Sequence, residues 1–246
     1  MLDIGTLLIV SFAFVIAGAA KGIVGFGIQV VALAIMTIAL DLVTAMAVML
    51  APSLATNFWQ STVGGNTRLL LQRLWPFLST VALVVFVGAL ALTRIDLPWL
   101  TALLGLVMVA YALVGIGGFH FHVSPRTEVW LGPVIGSING LLMGMTGSSV
   151  VPGTMYLQAL GLRRDMLVQA MGMLYMTSTL ALLVAMQLNQ LLNLKLALYS
   201  ASAVIPALLG MLLGQKIRRR LSETLFRKIF FFALLALGMY LLTTSL

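Results

Sequence analysis

Long apolar runs, broken by short polar stretches, set the rhythm of this 246-residue chain. Ten apolar segments stand out, roughly 4–20, 26–40, 43–63, 74–93, 97–118, 129–145, 148–160, 166–187, 196–215 and 226–244. A helix crossing a bilayer needs roughly 17–25 apolar residues, and most of these segments meet that length. The pattern predicts an all-α polytopic membrane protein. Pro76 and Pro98 fall just inside segment starts, where a missing N–H costs nothing. Pro52 and Pro206 lie mid-segment and should kink or break their helices.

Segments one, two and seven are short. At ~1.5 Å per residue they reach only ~20–26 Å, less than the ~30 Å hydrocarbon core. The expectation is that one pairs with two, and six with seven, as helical hairpins that bend inside the membrane.

Composition agrees with the pattern. The chain is 61% hydrophobic and 8% charged, against about a quarter charged in soluble domains. Cysteine is absent, which excludes disulfides, thiolate metal sites and a cysteine nucleophile. His120 and His122 share one short polar stretch and are too few to hold a metal. The amino terminus lacks the basic region of a cleavable signal peptide, so the first apolar segment reads as permanent structure.

The net charge of +8 does not indicate nucleic acid, because six cations lie between Lys216 and Lys228, directly between two apolar segments. Such a juxtamembrane cluster holds orientation or meets anionic lipid. Assigning alternate breaks to alternate sides places Lys21, Arg68, Arg73, Arg126, Arg163, Arg164 and the 216–228 cluster together, a split of 12 cations against 2. The richer side is cytoplasmic by the positive-inside rule, and both termini are then extracytoplasmic.

The halves of the chain resemble each other. Gly18, Gly22 and Gly25 match Gly140, Gly144 and Gly147 at one fixed offset, and Ala39-Leu40-Asp41-Leu42 echoes Ala159-Leu160-Gly161-Leu162. Five segments per half is an odd number, so the second copy must be inverted, as in many secondary transporters. The first repeat covers 1–118, with a hairpin over 4–40 and helices 43–63, 74–93 and 97–118. The second covers 129–246, with a hairpin over 129–160 and helices 166–187, 196–215 and 226–244.

Irregular backbone at membrane depth survives only where protein or water surrounds it. Glycine-rich bends over 22–27 and 144–149 therefore predict a cavity that both share, with a helix N-terminus at each bend offering N–H groups to an anion. Gly22, Gly25, Gly27 and Gly147 would shape the bends, and Thr146, Ser148 and Ser149 would add hydroxyl donors. The same glycines also read as close helix packing of the Gly-x-x-x-Gly type.

Lys21 interrupts an apolar stretch, and an ammonium at depth costs at least a few kcal/mol. It reads either as a fixed cation for a transient anion or as a side chain snorkelling to the interface. Asn57, Gln60, Tyr156, Gln158 and Gln169 are neutral groups that could replace an anion's hydration shell, or bond helices together. No paired carboxylates, metal spacing, nucleophile–base couple or nucleotide motif appears in the apolar segments. No enzyme, cofactor or metal site is expected.

Several stretches resemble the sulfite exporter TauE/SafE family. They are Lys21-Gly22-Ile23-Val24-Gly25-Phe26-Gly27, Pro52 with Thr56-Asn57-Phe58-Trp59-Gln60, and Val151-Pro152-Gly153. Tyr156-Leu157-Gln158-Ala159-Leu160-Gly161-Leu162 and Leu167-Val168-Gln169-Ala170-Met171-Gly172 complete the set. The first half departs by having Val30 where the second has Pro152. The resemblance implies a multi-pass transporter of sulfite, sulfonates or related organic anions.

The expected function is a secondary transporter of a small anion in a bacterial inner membrane. The anion would be held near the midplane by Lys21 and two converging helix N-termini. Its partners would be the anionic substrate and membrane lipid, without nucleic acid, and homo-oligomerisation stays open. An anion channel, or a non-transporting subunit of a membrane complex, remains the alternative.

Overall fold

The helices begin and end where local chemistry requires it. α1 (Ile4–Val24) starts at Asp3, whose carboxylate accepts from the Thr6 N–H and hydroxyl at 2.8 and 2.9 Å. The bond from the Thr6 N–H, with that from its hydroxyl, holds the Asp3 carboxyl below its ordinary pKa. α1 closes at Gly25, in the left-handed region at φ 90°. α2 (Ile28–Ala39) follows from Gly27, and α3 (Leu42–Val48) is capped by Asp41. α4 (Leu50–Thr62), α5 (Thr67–Ala89, extended by a 3₁₀ turn over Leu90–Thr93) and α6 (Leu97–Gly117) complete the first half.

The second half comprises α7 (Pro125–Thr146), α8 (Gly153–Ala159), α9 (Arg164–Leu188), α10 (Leu194–Ser202), α11 (Val204–Arg218) and α12 (Glu223–Ser245). This computed structural model describes residues 3–118, 122–218 and 223–245. His120, Arg219 and Arg220 lie outside the described residues. Among those described there is no strand, and seven helical stretches are long and apolar enough to cross a membrane, or eight if the bent α3–α4 pair counts as one. The chain is a multi-pass helical membrane protein.

The two mid-segment prolines act through the residue four before them, whose carbonyl a proline ring displaces. Four residues before Pro52 is Val48, where α3 stops, and α4 leaves it at 44°. Four before Pro206 is Ser202, where α10 stops. Pro76 corrects the expectation for its segment. α5 starts at Thr67, so Pro76 sits inside the helix, and the Ser79 and Thr80 hydroxyls bond its carbonyl at 3.1 Å.

The first segment is also longer than expected. Lys21 and Gly22 do not end α1, and its 21 residues reach about 31 Å, enough to cross. The short arms are α2, with 12 residues, and α8, with seven. Each hairpin thus joins one span-length helix to one short helix.

The residues form two compact units, each drawing on both halves of the sequence. One comprises 1–52, 95–118 and 190–246. In it α1 runs along α11, and α6 along α12. A methyl at Gly18 or Gly22 would fall on the carbonyl oxygen of Ala207 or Met211, and one at Gly210 or Gly214 on that of Val15 or Ala19. The other unit comprises 53–94 and 119–189, and its main seam is α5 on α7. Here a methyl at Gly140 would lie 2.6 Å from the Val81 carbonyl oxygen, and one at Gly144 2.5 Å from the Ala89 nitrogen.

The three matched glycines therefore do the same work in both halves. Gly18 and Gly22, like Gly140 and Gly144, permit backbone-to-backbone contact. Gly25 and Gly147 terminate the helix with positive φ, their N–H groups donating to Lys21 and Met143 at 2.7 and 2.8 Å.

Candidate functional site

The first break spans Gly25-Phe26-Gly27. Lys21 lies one turn before it, at the end of α1, and is only 5% exposed. A long cationic side chain so enclosed is rare unless it has a role. Gly27, at φ 101°, turns the chain under the Phe230 ring, which a methyl there would approach to 3.1 Å. Phe26 packs edge-on against Tyr111 and Phe230, with centroids 6.2 and 6.1 Å away, and Tyr111 and Phe230 both meet Phe231. This aromatic cluster fixes the break without closing it by secondary structure. Gly27, the N-cap of α2, has no side chain with which to cap the first turn, where Gln29 is buried.

The second break runs from Gly147 to Pro152. Thr146, Ser148 and Ser149 are all fully buried. The Thr146 hydroxyl donates to the Leu142 carbonyl at 2.7 Å and accepts from the Ser148 N–H at 3.3 Å. Its proton is therefore engaged within α7 in this structure. The Ser148 and Ser149 hydroxyls make no hydrogen bond among the described residues. The first N–H of α8, at Gly153, goes to the Asn139 side-chain oxygen at 2.9 Å. That donor, too, is occupied rather than open to a ligand. Thr154 and Tyr175 share a buried hydrogen bond of 2.7 Å.

The remaining expected residues separate by position. Asn57 is fully buried on α4, and the Gln60 amide donates to the Val168 carbonyl at 2.9 Å. Gln169 has its polar atoms engaged by the α4–α5 connection: it donates to the Ser61 carbonyl at 3.0 Å and to the Thr67 hydroxyl at 2.9 Å, and accepts from the Asn66 N–H at 3.1 Å. In this structure it acts as a latch on that turn. Gly22 packs against the backbone of α11.

Tyr156 lies at the Arg73–Glu128 ion pair, its hydroxyl 3.5 Å from the Glu128 carbonyl and its ring tilted on Phe77 at 4.9 Å. Arg73 grips Glu128 with two bonds of 2.7 Å. With Trp75 and Pro133 these residues line a cavity of about 440 Å³. Gln158 is exposed, on the outer face of α8. Among the described residues, no three His, Cys, Asp or Glu side chains gather as metal ligands would.

Two polar residues escaped the sequence reading. Gln29 and Asn139 are amides inside apolar segments, the same signal that singled out Asn57 and Gln60. Both are buried beside a break.

No curated protein and no solved structure aligns significantly with the chain. A family model does, over residues 10–241, a match that takes in both breaks and every seam glycine from Gly18 to Gly238. By that match the chain belongs to the sulfite exporter TauE/SafE family, a family of membrane transporters.

Proposed function

We propose that the chain is a secondary transporter of a small anion, sulfite or a sulfonate, and that Lys21 supplies the charge that selects it. The observation that carries this reading is the burial of Lys21 at a glycine break in a helix long enough to span. A transported anion recovers, on meeting that ammonium, part of the hydration it sheds. Within the other unit, the second break holds uncharged donors of its own, the buried Ser148 and Ser149 hydroxyls.

The long-then-short helix pair that opens each half and the shared roles of the three glycine pairs support a repeat of 1–118 in 129–246, inverted by the odd number of segments. With Lys21 set aside as the buried charge, the remaining split of 11 cations against 2 supports a bacterial inner-membrane orientation with both termini outside.

Lys21→Met tests the proposal in proteoliposomes loaded with labelled sulfite. The repeat makes this substitution natural, because Met143 holds the matching place in the second half. Loss of a partly desolvated charge contact costs about 2–5 kcal/mol, so apparent affinity should fall by roughly 30- to several-thousand-fold with folding intact. Lys21→Arg should restore transport only in part, since the planar fork is larger and its charge more diffuse. Wild-type rates in Lys21→Met would sink the proposal.

A further inference from the structure

Asn139 sits on the inner face of α7 with no exposed surface. Its side-chain oxygen accepts the Gly153 N–H at 2.9 Å. A backbone N–H can only donate, so the bond settles which end of the amide faces α8. The amide nitrogen, with two N–H groups, is thereby turned the other way. It is buried and makes no hydrogen bond among the described residues, the same condition as the Ser148 and Ser149 hydroxyls. Position 153 must be glycine for this arrangement, because a Cβ would lie 2.6 Å from the Asn139 oxygen and 2.8 Å from a Leu174 methyl.

Buried donors are almost always paired, because an unmet one forfeits its hydration. Three of them, Asn139, Ser148 and Ser149, fall within fifteen residues around one break. All three can give a proton to an acceptor, and none carries a charge. A ligand that offers only lone pairs satisfies such a set, as the oxygens of a sulfite or sulfonate group do.

We propose that Asn139 is a substrate-contacting residue, its amide N–H groups held out by Gly153 to receive oxygens of the transported anion beside Ser148 and Ser149. This rests on the transport function proposed above and adds a specificity-determining contact to it. The Gly153 bond does the positioning, and the free end of the amide does the binding.

The test is Asn139→Asp, measured with a sulfonate that stays singly charged across the pH range used. The variant keeps the oxygen that accepts from Gly153 but replaces the donor by an acceptor. Its KM should rise about 10- to 100-fold at alkaline pH, the effect of losing a hydrogen bond to a charged group. As pH falls and the new carboxyl gains a proton, it becomes a donor again, and KM should return toward the wild-type value while the wild-type KM stays flat. The acid-end sample is also the folded control, since the neutral acid has the shape of the amide. A KM equal to wild type at all pH overturns the proposal. So does a variant that melts like wild type but stays inactive at every pH. Failure of the wild-type protein to move the sulfonate or sulfite is a different result, and it refutes the transport function itself.

Discussion

Gly22→Ala should destabilise the protein although alanine is the better helix former. A methyl at Gly22 would fall on the Met211 carbonyl oxygen, with the Gln215 nitrogen at 3.0 Å and the Gly214 Cα at 3.1 Å. All three are backbone atoms of α11 and cannot turn aside as a side chain would. α11 must retreat, and it then leaves the Val15 and Ala19 carbonyls against which Gly210 and Gly214 pack. Overpacking costs about 1–3 kcal/mol, and rigid neighbours place this site at the top of that range. Helix propensity returns about 1 kcal/mol. The net cost of about 2 kcal/mol lowers the melting temperature by roughly 4–8 °C for a chain of this size.

Gly5→Ala, on the same helix, is the internal control. Its methyl would approach only the Asp3 carboxylate, at 3.2 Å, a side-chain contact at the exposed helix start that needs to yield only a few tenths of an ångström, so the variant should melt close to the wild-type temperature. Thermal unfolding of the detergent-solubilised proteins checks both. A Gly22→Ala protein that melts no lower than Gly5→Ala would show that the α1–α11 seam does not depend on its glycines.

Gln169→Leu should lower stability by about 2–3 kcal/mol, because it strands the Asn66 N–H and two other partners, while KM for the anion stays unchanged; a selective rise in KM would place Gln169 at the site. A double-mutant cycle on Arg73→Ala and Glu128→Ala should give a coupling of about 0.5–1 kcal/mol in denaturation, and additive effects would mean that the two-bond grip contributes nothing. For orientation, a single cysteine placed at Lys216 in this cysteine-free chain should react with an impermeant reagent only from the cytoplasmic side, and labelling from outside would reverse the topology.

The fold was legible in the sequence wherever apolar length or a special residue decided it. The spans and the breaks near Pro52 and Pro206 follow from hydropathy and from the missing proline N–H. Helix starts were less legible. Thr67–Arg73 and Pro125–Glu128 are helical although they carry charges, because helices run past the hydrocarbon into the interface, where charge carries little penalty. At the site, Gly25 and Gly147 could be picked out as break residues, but Gly22 could not be told from them. A seam glycine and a turn glycine leave the same letter, and only the position of the partner helix separates them. Gln169 and Asn139 make the same point for amides: each is polar and buried, and what distinguishes a latch from an open donor is how many of its atoms the fold already engages.

Every acidic residue of the chain stands at a helix start. Asp3, Asp41 and Asp96 precede α1, α3 and α6, Glu128 and Asp165 lie in the first turns of α7 and α9, and Glu223 opens α12. Negative charge there complements the helix dipole, and it leaves the interior of the spans without a carboxylate to carry protons. The electrical consequence concerns voltage. A carrier whose buried acids shuttle protons can set an anion's charge against theirs, whereas here the field across the membrane acts on the anion's own charge, about 2.3 kcal/mol per elementary charge for each 100 mV. Under the transport function proposed above, a cytoplasm held negative would pull the anion outward, the direction of an exporter.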